Sequence, residues 1–153
     1  MIEQKLVPAQ QYLSIKKHLS LPELKEFAQV ISSLYEETAT LGLEITGPLE
    51  FIYFGVDGNP KTKFDLVIAV PVNKIGEPSS QFEYYESEPF NCSYTNYQGG
   101  MSGMPKAWGG FVESIFNLGL IPTSQCREVY KHWVDDESNE NITELQMGIE
   151  SKA

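Results

Sequence analysis

FDLVIAV, Phe64 to Val70, and TELQMGI, Thr143 to Ile149, are the two stretches whose pairing decides the fold. In the second, Thr143, Leu145, Met147 and Ile149 alternate with Glu144, Gln146 and Gly148, the period of two that a strand imposes. Set against each other, the two stretches bring Asp65 into correspondence with Glu144. Each is preceded by a tyrosine-bearing strand, EFIYFG from Glu50 and REVYKHW from Arg127, in which Tyr53 matches Tyr130 at a shift of 77 (130 − 53). The turn between the strands is VDGNPK in the first case, with an Asp-Gly hairpin signal, and the longer, acidic VDDESNEN in the second.

Further out, the same shift aligns two amphipathic helices. Ser20-Leu21-Pro22-Glu23 is a capping box, in which Glu23 reaches back to the helix start. Leu24, Phe27, Ile31, Leu34 and Leu41 follow at near-helical spacing, and Gly42 is placed to end the helix in a left-handed conformation. The second helix starts between Ser102 and Pro105, with Met104, Trp108, Phe111, Ile115 and Leu118 as its stripe and Gly119 at its end. Phe27 then falls on Met104, Ile31 on Trp108 and Leu34 on Phe111. A strand precedes each helix, PAQQYLSIKKH from Pro8 and PFNCSYTNYQG from Pro89, both rich in aromatic and β-branched residues. The glycine-rich YQGGMSGMP, from Tyr97, has no phosphate-loop spacing and reads as a loosened entry to the second helix.

These spacings predict an α+β fold in one domain over residues 1–153. Two pseudo-symmetric strand–helix–strand–strand repeats, about 6–73 and 88–150, are joined by a linker at about 74–87. Stacked side by side they form a concave antiparallel sheet with both helices on one face.

The 153 residues carry a net charge of −10, and the eleven Lys and Arg form no basic cluster. That field opposes a phosphate backbone, so no direct nucleic-acid binding is expected. No signal peptide opens the chain, and no apolar run approaches the roughly 18 residues of a membrane span. Cys92 and Cys126 are too far apart in sequence for a metal or redox motif, and with His18 and His132 they make no zinc spacing. A cytoplasmic protein with no metal and no cofactor is expected.

Several of these segments resemble the GyrI-like effector-binding domains, the ligand domains of AraC-type and MerR-type multidrug regulators. VPAQQYLSI, GPLEFIYFG followed by FDLVIAVPV, the Trp108 helix, and REVYKHW followed by TELQMGI carry the resemblance across nearly the whole chain. The resemblance implies an aromatic cleft for lipophilic, often cationic, small molecules, with a glutamate from the sheet neutralising the ligand. Its Glu-x-Tyr and Thr-Glu-hydrophobic pattern falls on Glu128, Tyr130, Thr143 and Glu144. The expected role is that of a free-standing domain that sequesters ligand or senses it through a partner protein such as a regulator. Some relatives hydrolyse reactive hydrophobic toxins, and others bind DNA gyrase; both remain alternatives here. The sequence departs from the family in LSLPE before the first helix, in Gly148-Ile149 after the glutamate segment, and in lacking a helix-turn-helix.

The expected ligand site therefore comprises Glu144, Tyr130, Glu128, Tyr53, Asp65, Trp108 and Trp133. Glu144, also the residue that would serve a hydrolase, either faces water or reads a cation inside the cleft. Tyr53 and Tyr130 are either half-buried structural residues or flank the cleft beside their carboxylates. Trp108 lies in a core stripe or touches ligand, and Trp133 lies at the rim. Glu128 and Glu144 lie on adjacent strands and form a pair if the strand phases align them.

Overall fold

The computed structural model describes residues 2–26, 28–57 and 59–150; the side chains of residues 24–26 and 28 are not among them. The correspondence of Phe27 with Met104, and Leu24 in the first stripe, lie outside what is described. In chain order the elements are β1 (Glu3–Val7), β2 (Gln11–Ser20), α1 (Ala28–Thr40), β3 (Glu50–Phe54), β4 (Lys63–Pro71), β5 (Glu83–Glu86), β6 (Phe90–Gln98), α2 (Met104–Asn117), β7 (Pro122–His132) and β8 (Ile142–Ile149). The strands form one open antiparallel sheet in the order β1-β6-β8-β7-β3-β4-β2-β5. The class is α+β, as the sequence predicts.

Local chemistry sets the helix boundaries. Glu23 accepts from the Ser20 amide at 3.1 Å and the Ser20 hydroxyl at 2.9 Å, closing the box around a 3-10 turn that leads into α1. Gly42 and Gly119 end their helices at φ +67° and +74°, a conformation costly to any residue with a Cβ. The glycine-rich entry to α2 is not loose. Gly103 lies against the Tyr97 hydroxyl, which donates to the Gly100 carbonyl at 2.8 Å, and a Cβ on Gly100 would come within 2.7 Å of the Glu137 backbone. Glycine is required there by close packing.

Two strands depart from the expected layout. β1 pairs with β6, not with its sequence neighbour, so the amino-terminal segment crosses to the far half of the sheet. The expected linker contains β5, which adds to the outer edge of β2.

Alternation divides the sheet residues between two faces. Leu13, Phe51, Tyr53, Leu66, Ile68 and Cys126 point to the face that carries both helices and pack with Leu34 of α1 and Trp108 of α2. On that face Phe111 and Ile115 of α2 cover Leu145 and Ile149. Each fully buried aliphatic chain of this kind contributes about 1.5–3 kcal/mol. Among the described residues the opposite face has no helix; Tyr12, Ile52, Val67 and Ala69 form a second cluster there. Gly148 belongs to that face, where a Cβ would meet the Gln125 carbonyl at 2.8 Å and the Phe90 ring at 2.9 Å. Both cysteines are buried and free. No helix among the described residues is long and apolar enough to cross a membrane.

Candidate functional site

The two central strands, β3 and β7, place Phe51 directly opposite Glu128. Glu128 is in phase with Cys126 and Tyr130, so the strand period aims its carboxylate at the helix-bearing face, among apolar side chains. It is 5% exposed. Tyr53 donates to its Oε1 at 2.8 Å, Tyr130 to the same oxygen at 2.6 Å, and the Trp108 indole to Oε2 at 2.7 Å. Among the described residues no basic nitrogen lies within 4.0 Å of it. Burial, and then the neighbouring Glu128 charge, push both tyrosine hydroxyls well above the usual phenol range, so they stay donors. The same two causes raise the Cys126 thiol.

Aromatic rings wall this carboxylate. Phe51 and Trp133 each meet the Tyr130 ring edge-on with centroids 5.2 Å away, and Tyr53 packs on Phe64 at 5.6 Å. Trp108 leans on Phe111 at 5.7 Å. Trp108 and Tyr130 are half-buried, and Trp133 is 36% exposed. The arrangement is a negative charge held by neutral donors in an apolar, π-rich enclosure. Such a place attracts an organic cation through charge and through the ring faces.

The structure separates the carboxylates that the sequence grouped. Glu144 and Glu128 sit on neighbouring strands but opposite faces, so they form no pair. Glu144 lies on the helix-free face, where Lys5 Nζ approaches its Oε2 to 2.7 Å and Lys131 Nζ its Oε1 to 3.7 Å. Gln146 also donates to it. Burial alone would raise its carboxyl pKa, but the Lys5 and Gln146 hydrogen bonds and the two lysine charges outweigh that and hold it below the usual value. Glu144 therefore does not face water and is not beside Tyr53 or Tyr130.

Asp65 shares that face but lies at the far end of β4, with its side chain 42% exposed, 3.0 Å from His18 Nδ1 and 3.9 Å from Lys16 Nζ. The ladders also correct its correspondence with Glu144. Phe51 pairs with Ile68 and Glu128 with Leu145, so at the shift of 77 the residue standing where Glu144 stands is Val67 (144 − 77).

Sequence reading missed Glu50 and Arg127. Glu50 is buried on the helix-free face, where Tyr12 donates to both its oxygens at 3.2 Å and Arg127 Nη1 stands 3.7 Å away. Burial pushes its carboxyl up to about 7 against the lowering effect of Arg127. The Arg127 guanidinium lies over the Phe90 ring at 4.2 Å. The signal was adjacency: Arg127-Glu128 in a strand must send one charge to each face. Among the described residues no group of three or more His, Cys, Asp or Glu could hold a metal.

No protein-family model and no curated protein matches this sequence. Solved structures match it in fold. The EcmrR C-terminal domain superposes with a TM-score of 0.80 at 18% identity, covering 99% of this chain and 98% of that one. In the EcmrR–DNA complex the same likeness spans 58% of the EcmrR chain. SAV2435 bound to tetraphenylphosphonium gives 0.67 at 15% identity, covering 98% and 94% of the two chains. A hydrolase from Listeria innocua gives 0.65 at 14%, covering 97% and 91%. The chain thus shares its fold with the EcmrR C-terminal domain and with SAV2435, in line with its resemblance to the GyrI-like domains. At these identities the likeness is one of fold.

Proposed function

We propose that this protein binds lipophilic organic cations between α1 and α2, over β3 and β7, as a ligand-sensing or sequestering domain. One observation carries the reading: Glu128 is a buried carboxylate with three neutral donors and no basic partner among the described residues. Leaving a buried charge without a counter-ion is costly, and a bound cation removes that cost. Tyr53, Tyr130, Trp108 and Trp133 supply the aromatic walls. SAV2435, of the same fold, binds tetraphenylphosphonium, which supports the ligand class. EcmrR, seen in a DNA complex, and a Staphylococcus aureus protein described as a transcription regulation protein have the same fold, which supports a role coupled to transcription through a partner. Repetition of strand, helix, strand, strand on either side of the β3–β7 pair supports an origin by duplication, with the Phe51–Glu128 pair at its centre.

A second reading shares the site. Glu128 beside two tyrosine hydroxyls has the acid–base groups to attack a strained electrophile, and the Listeria hydrolase has the same fold. Calorimetry with tetraphenylphosphonium tests the first reading; turnover of a strained, hydrophobic epoxide or cyclopropane tests the second. Saturable binding of the cation without turnover is the expected result. Turnover abolished by Glu128→Gln would replace the binding reading with the hydrolytic one.

A further inference from the structure

The hydrogen bonds already made by Glu128 decide which kind of cation suits it. A carboxylate offers about four lone-pair sites on its two oxygens. In Glu128 three of them are taken. Oε1 accepts from the Tyr53 and Tyr130 hydroxyls at 2.8 and 2.6 Å, and Oε2 accepts from the Trp108 indole at 2.7 Å. What remains is one site on Oε2 and the lone pairs of the two phenol oxygens, poorer acceptors than the carboxylate they serve. The Thr143 hydroxyl, opposite Tyr130 on β8, is fully enclosed. Phe51, Phe64 and Phe111, which pack on these same rings, bring no acceptor.

Glu144 shows what an ammonium ion asks of a carboxylate in this chain. Lys5 Nζ reaches its Oε2 at 2.7 Å and lies 4.1 Å from the centre of the Tyr94 ring. Among the described residues no hydroxyl or indole occupies the Glu144 oxygens, and Gln146 is the one neutral donor. The Lys5 side chain is partly exposed, so its remaining N–H groups reach water. Glu128, buried among aromatic rings, offers neither open oxygens nor water. An ammonium or guanidinium ion brought to it would keep N–H groups without good acceptors, which is costly in an apolar enclosure. A phosphonium or quaternary ammonium ion has no N–H to satisfy. The carboxylate acts on its charge through space, and the ring faces add to that attraction without direct ion pairing.

We propose that the Glu128 site selects permanent cations without N–H groups, phosphonium and quaternary ammonium ions, over primary ammonium and guanidinium ions of the same bulk. Tyr53, Tyr130 and Trp108 set this selectivity. By filling the carboxylate's acceptor sites they leave its charge in place and take away most of its hydrogen-bonding capacity. The inference rests on the cation-binding reading and adds which cations that site takes.

Three compounds of one shape separate charge from hydrogen bonding: methyltriphenylphosphonium, triphenylmethylammonium and the neutral triphenylethane. Each is titrated into the full chain by calorimetry, at a pH where the amine is protonated. The phosphonium should bind at least about tenfold more tightly than the ammonium. Trp108→Phe keeps a ring on α2 and opens Oε2 to two N–H groups, so the ratio should fall to about threefold or less, chiefly through tighter binding of the ammonium. Tyr130→Phe opens one site on Oε1 and should narrow the ratio in the same direction. Equal affinity of wild type for the two cations, or an unchanged ratio in both variants, would overturn the proposal. If both cations still bind more tightly than triphenylethane, the cation-binding reading stands without the selectivity. Phosphonium binding no tighter than that of triphenylethane would remove the reading and the selectivity together.

Discussion

Glu128 and Glu144 are both about 5–6% exposed, on neighbouring strands, yet their surroundings have opposite logic. Glu144 is neutralised from within by Lys5 and Lys131. Glu128 is held only by the hydroxyls of Tyr53 and Tyr130 and the indole of Trp108. A buried carboxylate that brings its own cations is compensated within the fold, and removing one side of the set is costly. One that brings only neutral donors remains short of a positive charge. On the proposed reading Glu144 belongs to the structure and Glu128 to the ligand, and each half of the comparison can be broken separately.

The largest expected effect is on the Glu144 side. Glu144→Ala leaves Lys5 and Lys131 without their partner and should destabilise the protein by roughly 3 kcal/mol, the low end for a broken buried pair because both lysines are partly exposed. Urea unfolding measures this. Full stability, together with lost cation binding, would return Glu144 to the ligand site.

The pH dependence of stability gives a second test, of nearly the same size, on the same face. Burial pushes the Glu50 carboxyl from its ordinary value of 4.5 up to about 7, so the folded state holds its proton more tightly. Its contribution to stability is present below about pH 4.5 and is lost as pH rises through 7, by up to about 3 kcal/mol. The groups acting on it are Arg127, Tyr12, Glu144 and Lys5. Glu144, with a lowered pKa, acts in the opposite direction, its contribution being lost as pH falls. Unfolding free energies from pH 4 to 8 should therefore lose their decline between 5 and 7 in Glu50→Gln. An unchanged profile would show that Glu50 does not titrate there.

The smallest effect belongs to Asp65. It is exposed and loosely paired with His18 and Lys16, so Asp65→Asn should change stability by no more than about 0.5 kcal/mol and cation affinity not at all. A clear loss of affinity would mean that the cleft reaches the helix-free face.

Much of the fold was legible because its signals are local. The Leu34 and Phe111 stripes, the Ser20–Glu23 box and the glycines at 42 and 119 each act within a few residues. β1 was not legible, since its partner β6 lies more than 80 residues away and nothing in EQKLV names it. At the site, alternation correctly put Glu144 with Gln146 and Gly148, away from Leu145 and Ile149. The less apolar side, open in sequence to a water-facing or a cleft-lining reading, is the helix-free face. Helices cover the apolar side, so the carboxylate in phase with apolar neighbours is the one inside, and in REVYKHW that is Glu128 between Cys126 and Tyr130. Trp108 could not be placed from its stripe alone, because Glu128 lies under the same helix face as Phe111.

The central claim is that Glu128 reads positive charge. Calorimetry compares tetraphenylphosphonium with a neutral compound of the same shape, on wild type and on Glu128→Gln. A charge-assisted contact is worth about 1.5–3 kcal/mol, so the variant should bind the cation roughly ten- to a hundredfold more weakly and the neutral compound equally well. Equal losses for both compounds, or the selective loss in Glu144→Gln instead, would contradict the account.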